Sequence, residues 1–327
     1  MTDGLSLRML SESDIRSVNL SLHEVLNLVE HTYLLDAGGF VEVPTKIGVH
    51  PDYPNSFLHA MPAWVDEVRA LGMKWVSYFP GNFDRGMSDS TGIIILNHPG
   101  HGHPVAVMEG MYVTFLRTAA CAAVAAKHLI PMPPRTLGLV GCGGLGRGSL
   151  HMMTAAFPSI ERVFVSSRTA RSREAFCEEM RQDGRWTITP VDDVRQAVEG
   201  CDIVVSSVPP NGERPVRAEW LAPGAIFIPL DLANSWHDDV MGATTRVVAD
   251  NASHFTAQIA RQRPEASSYL KQIVTFQDLV AGRAAKAHRE DRSFVAVCGI
   301  ASTDVVLGWE IYRRAAAGNI GTLFKMA

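Results

Sequence analysis

Several things are missing from this chain, and each absence narrows its class. No apolar run reaches the roughly 18 to 20 residues that a membrane-crossing helix needs. The longest candidate, Thr118 to Ile130, is short, rich in alanine and interrupted by Lys127 and His128. Cysteine is sparse: five residues (Cys121, Cys142, Cys177, Cys201, Cys298), odd in number and never spaced C-x-x-C. That pattern excludes a disulfide framework and a structural zinc site, and a reducing cytoplasm is the expected location. A surplus of one charge is lacking too. A net charge of −4 on 327 residues offers no basic footprint for nucleic acid or an anionic membrane. Met1 to Gly4 show neither a basic segment nor an apolar one, so no secretory leader is expected. Neither internal repeats nor low-complexity stretches occur. What remains is a chain long enough for two domains, and its 46% hydrophobic content is sufficient for a substantial core.

The texture changes twice along the sequence. Ser21-x-x-Glu24 is a capping box that opens a run with Leu22, Val25, Leu26, Val29 and Leu34 at helical spacing, stopped by Gly38-Gly39. From Val43 the pattern is one of short apolar segments broken by Pro and Gly. Two of them, Ile93 to Leu96 and Val105 to Met108, flank a turn-rich link of Asn97 to His103 and predict a β-hairpin. A helix is expected from Thr114 to about Leu129. Pro131-Met132-Pro133-Pro134 then marks the expected domain crossing. Beyond it strands (Leu137 to Val140, Arg162 to Ser166, Ile203 to Ser206, Ala225 to Leu230, Val247 to Ala249) alternate with helical stretches. This predicts an α/β fold with a parallel, doubly wound sheet. The tail, Ser302 to Ala317, reads as an amphipathic helix.

The strongest local signal is Val140-Gly141-Cys142-Gly143-Gly144-Leu145-Gly146, a G-x-G-x-x-G directly after an apolar strand and at the opening of a helix. The first glycine permits the tight turn, the second admits a pyrophosphate close to the backbone, and the third lets helix pack on strand. Phosphate then lies on free N–H groups at the helix N-terminus. Gly141, Gly143, Gly144, Leu145 and Gly146 are therefore candidate dinucleotide contacts. The end of the next strand reads Ser166-Ser167-Arg168-Thr169-Ala170-Arg171-Ser172-Arg173. An acidic residue here would hold a ribose 2′-hydroxyl, and there is none. Hydroxyls and guanidinium at Ser167, Arg168 and Thr169 suit a 2′-phosphate, favouring NADP(H) over NAD(H). The alternative is that Arg171 and Arg173 only solvate a helix start.

Lys74 alternates with apolar neighbours on an expected strand, as either a snorkelling residue or a buried amine with a lowered pKa. Arg117 falls in the first turn of the expected helix, the wrong end for the macrodipole, so it should meet an anion, structural or bound. His98, His101 and His103 sit in a Gly/Pro turn without thiol or acidic partners and are read as a solvated loop, with no metal expected. Cys142 is read as packing. Asp304 and Glu310 are read as a helix cap and a solvated face.

The K-W…F-P-x-N segment around Lys74, the R-T-A-A start at Arg117 and the glycine motif resemble the ornithine cyclodeaminase/mu-crystallin family. So do Asp202 to Ser207 and Gly299-Ile300-Ala301-Ser302-Thr303-Asp304-Val305. The resemblance implies a homodimer, with a substrate-binding and dimerisation domain of residues 1–125 and 302–327 and a Rossmann domain of residues 126–301. It implies chemistry at the Cα–N bond of a small amino or imino acid, with Lys74 catalytic and Arg117, Lys46, His59 and Met61 lining the substrate site. It also implies cofactor contacts at Ser207 and Val208. Where many members carry a carboxylate-binding arginine this chain has Lys46, which lacks the bidentate fork. Where cyclodeaminases carry a catalytic aspartate it has Ala233, with Asp231 two residues earlier as a possible substitute. The expected activity is that of an NADP(H)-dependent reductase or dehydrogenase. The alternatives are an NAD-using cyclodeaminase and a non-catalytic NADPH-binding protein.

Overall fold

The computed structural model describes residues 5–181, 185–209, 213–270 and 272–326. The reading of Met1 to Gly4 lies outside the described residues. The strands are β1 (Ser6–Leu10), β2 (Val41–Glu42), β3 (Ile47–Val49), β4 (Phe57–Val65), β5 (Ala70–Tyr78), β6 (Ser90–Asn97), β7 (Pro104–Glu109) and β8 (Thr136–Val140), followed by β9 (Arg162–Ser166), β10 (Thr187–Pro190), β11 (Ile203–Ser206), β12 (Ile226–Pro229), β13 (Arg246–Ala249), β14 (Ile273–Thr275), β15 (Ser293–Ala296) and β16 (Thr322–Lys325). The helices are α1 (Glu12–Ser17), α2 (Leu22–Ala37), α3 (Met111–Leu129), α4 (Gly144–Ala156), α5 (Ala170–Arg181), α6 (Val194–Val198), α7 (Asp238–Ala243), α8 (Ala252–Gln262), α9 (Pro264–Ser267), α10 (Phe276–Val280) and α11 (Ala301–Ala317). The chain divides into two compact units, residues 1–117 with 300–327 and residues 118–299.

The first unit is built on a mixed sheet ordered β16-β1-β7-β6-β5-β4-β2, with β3 also on β4. Only β1 and β7 run parallel. Because side chains alternate along a strand, register decides which residues share a face. Met61 pairs with Lys74, Lys74 with Ile94 and Ile94 with Met108, so these four cross the sheet in one row. That face is covered by α11, with α2 packed against α11. Gly308 brings α11 close: a Cβ there would meet Ile94 Cγ2 at 3.3 Å and Met108 Sδ at 3.5 Å. The tail helix is less amphipathic than expected, since every residue from Ala301 to Gly308 is buried. The capping box at Ser21 forms, and α2 ends at Gly38.

The second unit carries a parallel sheet ordered β10-β9-β8-β11-β12-β15-β13-β14. From β8 the chain first adds strands on one side (β9, β10) and then on the other (β11, β12), so the order reverses between β8 and β11. In open α/β sheets that crevice is where ligands bind. Phe227, Trp236, Phe255 and Phe294 fill the core beneath it. Pro131 to Pro134 lies within this unit, connecting α3 to β8.

Candidate active site

At the reversal point the glycine turn has little room for side chains. Gly141 has φ +110°, and a Cβ on it would meet Ser207 O at 2.5 Å; one on Gly146 would meet Gly141 O at 2.4 Å. Around Gly143, by contrast, nothing lies within 4 Å. The first and third glycines are thus required by the turn and by helix packing, and the second leaves open space where a pyrophosphate could approach. Gly143 itself is the N-cap of α4, without a side-chain cap, so the first N–H groups of α4 have no such partner. Arg147 braces the turn by donating to Cys142 O at 2.8 Å while pairing with Glu179 at 2.6 Å. These residues fit a dinucleotide.

At the end of β9, Ser167 Oγ donates to Thr169 O, and Arg168 and Arg171 are exposed. Arg173 is the exception among the arginines, being engaged by Asp192. Val208 and Asp231 meet at the neighbouring strand ends. The Asp231 carboxylate accepts from Val208 N–H (3.1 Å), Ser235 N–H (3.2 Å) and Ser235 Oγ (2.9 Å). Ser235 in turn shares a 2.6 Å hydrogen bond with Ser206. Burial pushes the Asp231 carboxyl above its ordinary value, against these hydrogen bonds.

The first unit holds a different kind of cluster. Lys74 on β5 and Asp304 on α11 are 2% and 0% exposed. Lys74 Nζ donates to Asp304 Oδ1 at 2.9 Å and lies 2.8 Å from Oδ2. From the other side Arg117 Nε donates to Oδ1 at 2.9 Å. Thr114 Oγ1 is 3.4 Å from Lys74 Nζ and donates to Gly110 O. Helix α3 begins at Met111, three residues earlier than expected, so Arg117 stands in its second turn; Glu109 caps the start by accepting from Met111 and Tyr112 N–H. The anion expected beside Arg117 is therefore a structural carboxylate, Asp304. This corrects the reading of Asp304 as a helix cap: Ile300 is the N-cap of α11. Asp304 faces the sheet because it lies one turn before Gly308, whose missing side chain lets the helix approach.

Two cations share one carboxylate, and the electrostatics follow from that count. Burial and then the Arg117 charge pull the Lys74 ammonium down from 10.5 to about 7; Asp304 opposes them, and Lys46 adds repulsion. Burial pushes the Asp304 carboxyl up, but Arg117 and Lys74 reverse this and hold it below the usual carboxylate range.

The other expected substrate residues belong to the same unit. Met61 is the register partner of Lys74 and is buried. His59, two residues along β4 on that face, stacks on Phe57 with ring centroids 4.2 Å apart. Gly48 faces His59 across the β3–β4 pair, where a Cβ would meet the imidazole at 2.3 Å. Lys46 precedes β3 and is half-buried. His98, His101 and His103 sit at the β6–β7 hairpin, the first two stacked at 3.9 Å. Among the described residues no group of three His, Cys, Asp or Glu is placed to hold a metal, and no helix is long and apolar enough to cross a membrane.

Comparison with known proteins gives the family and the fold. The chain is 30% identical over 318 residues to the nodulation efficiency protein NfeD of Rhizobium meliloti, covering 97% of this chain and 98% of that one. It is 27% identical over 331 residues to an alanine dehydrogenase of Archaeoglobus fulgidus, again covering 97% and 98%. The fold matches that of a Delta(1)-pyrroline-2-carboxylate reductase of Thermococcus litoralis, solved with NADH and L-proline, with a TM-score of 0.88 at 24% identity over 96% of this chain and 99% of that one. Residues 7–319 match the model of the ornithine cyclodeaminase/mu-crystallin family. The chain belongs to the ornithine cyclodeaminase/mu-crystallin family.

Proposed function

We propose that this protein is an NAD(P)-dependent oxidoreductase acting on the carbon–nitrogen bond of a small amino or imino acid, with NADP(H) preferred to NAD(H). The observation that carries the reading is the buried Lys74–Asp304–Arg117 cluster, which presents an amine of pKa about 7 beside a guanidinium. A general acid is most effective when its pKa lies near the working pH. Lys74 delivers a proton to the imine nitrogen in reduction and accepts it in oxidation. Arg117 and Lys46 hold the substrate carboxylate, fixing Cα in position, where orientation contributes much of the rate. Gly141 to Gly146, with Ser207 and Val208, would hold the dinucleotide, which when bound would supply or receive hydride at Cα. Hydride at carbon and proton at nitrogen together convert C=N to CH–NH.

The alanine dehydrogenase relative supports chemistry of this type, and Ala233 speaks against a cyclodeaminase. The Asp231 carboxylate, the possible catalytic substitute, is engaged by Val208 and Ser235, and in this reading it holds the turn. The preference for NADP(H) rests on Ser167, the exposed Arg168 and Thr169, with no carboxylate from Ser166 to Arg173. The test is a panel of cyclic imines and of 2-oxo acids with amines, followed at the NADPH and NADH absorbance. Turnover on members of the panel, with kcat/KM higher for NADPH, is expected. No turnover on any member counts against the reductase, and an NADH preference against the cofactor assignment.

A homodimer and a cytoplasmic location belong to the same proposal. The sheet face opposite Lys74 is apolar and open: Ile47 (67% exposed), Trp75 (41%) and Ile93 (39%) share a row through Ala60. A second copy of the chain would cover such a face. Sedimentation should give a dimer at micromolar protein; a stable monomer would refute this part.

A further inference from the structure

The buried cluster contains two potential cations, Lys74 and Arg117, for one carboxylate, Asp304. An unbalanced charge in a buried place is costly, and a group that can shed its charge does so. Arg117 cannot, because a guanidinium stays protonated. Lys74 can, and by losing its proton it leaves a neutral Arg117–Asp304 pair. A bound carboxylate changes the count. Within the buried cluster, to which the half-buried Lys46 does not belong, a substrate anion leaves a net negative charge unless Lys74 is charged.

We propose that the substrate carboxylate loads the catalytic proton: its binding beside Arg117 draws a proton from solvent onto Lys74, so that the general acid is charged in the complex. This rests on the proposed function, which places the carboxylate at Arg117. The gain is that the buried ammonium need not be maintained in the free enzyme, yet stands ready whenever there is an imine to protonate. Asp304 is the positioning residue. It holds Lys74 and Arg117 on one carboxylate, both donating to Oδ1, so a charge met by one is felt by the other.

The groups facing Lys74 are few. Arg117 comes from α3, Asp304 from α11, Lys46 from the segment before β3, and His59 lies on the same face of β4. The buried side chains of α2 are Val25, Leu26, Val29, Thr32, Tyr33 and Leu35, and that of α1 is Ile15; none is charged. Arg8, on the same sheet face at β1, donates to Ile320 O. Of these groups His59 is the one imidazole, the side-chain type whose ordinary charge change falls nearest neutral pH.

The experiment is calorimetric titration of the full-length protein, saturated with NADPH, whose nicotinamide ring is uncharged, with pyrrole-2-carboxylate, a ring carboxylate that cannot accept hydride. Repeating it in buffers of different ionisation enthalpy gives the protons taken up. With Lys74 at about 7 in the free site, uptake should be about 0.75 proton per site near pH 7.5 and about 0.1 near pH 6. The dissociation constant should rise with pH between them. Lys74→Met should bind more weakly, with no uptake and an affinity flat in pH; Lys74→Gln gives the same comparison should the methionine variant fail to fold. Binding by wild type without uptake overturns the inference and leaves the proposed function standing. Uptake that survives removal of Lys74 also overturns it and points to His59. No binding to wild type removes the carboxylate anchor and the inference with it.

Discussion

Asp304 lies against the face of the first unit's sheet and Asp231 just past the end of β12 in the second, and the two are held in opposite ways. Asp304 lies between an ammonium and a guanidinium. Asp231 lies among neutral donors: one backbone N–H from Val208, another from Ser235, and hydroxyls. Opposite charges depress the first, while burial raises the second. Cations around a carboxylate create groups whose protonation changes with ligand and pH. Neutral donors create a rigid turn and little else. Under the proposed function, proton chemistry belongs to the first unit and scaffolding of a dinucleotide turn to the second.

Three substitutions test that division. Lys74→Met keeps an apolar stem of similar length, so packing should survive. Turnover should fall about 10² to 10⁴-fold, as for loss of a general acid or base, while dinucleotide affinity, which belongs to the second unit, stays within a few-fold by fluorescence titration. Wild-type turnover in this variant would make Lys74 structural. Asp304→Asn leaves two buried cations without their carboxylate and should destabilise by about 3 to 5 kcal/mol in denaturant unfolding. It also removes the one charge that favours the Lys74 ammonium. In the free wild-type enzyme Lys74 loses its proton as pH rises through about 7, so kcat/KM for reduction should fall there, and in Asp304→Asn the fall should move to lower pH. An unmoved pH profile would deny Asp304 its action through Lys74. Asp231→Asn is the smallest effect: an amide retains one acceptor, so about 1 kcal/mol of stability is expected to be lost, with the pH profile unchanged. A shifted profile here would give Asp231 a role in proton transfer and blur the contrast.

Much of the second unit was legible because its signals are local. A buried parallel strand is a short apolar run, and β9 and β11 have the bounds read from sequence, Arg162–Ser166 and Ile203–Ser206. The glycine motif reports a backbone constraint that acts within six residues. Shorter or partly polar strands such as β10, β14 and β15 escaped, since three or four residues carry too little periodicity. In the first unit β1 and β16 were missed for another reason. They pair with each other antiparallel, at opposite ends of the chain, and no local pattern encodes that.

The site divides along the same line. Sequence alone identified Lys74 as out of place among apolar neighbours, identified Arg117 as needing an anion, and located the turn that suits a pyrophosphate. Those are statements about single residues or short windows, where periodicity and helix polarity act. It could not say which anion Arg117 meets or whether Lys74 is buried. Asp304 was read as a cap because an aspartate near a helix start usually is one, and what makes it otherwise is Gly308, four residues on, letting α11 settle against β6 and β7. Only the folded sheet brings the charged atoms of Lys74 and Arg117 within 3 Å of the Asp304 carboxylate, and a pKa is a property of that assembled environment. The residue types were written in the chain; the charge balance among them exists only once long-range packing has excluded water from all three.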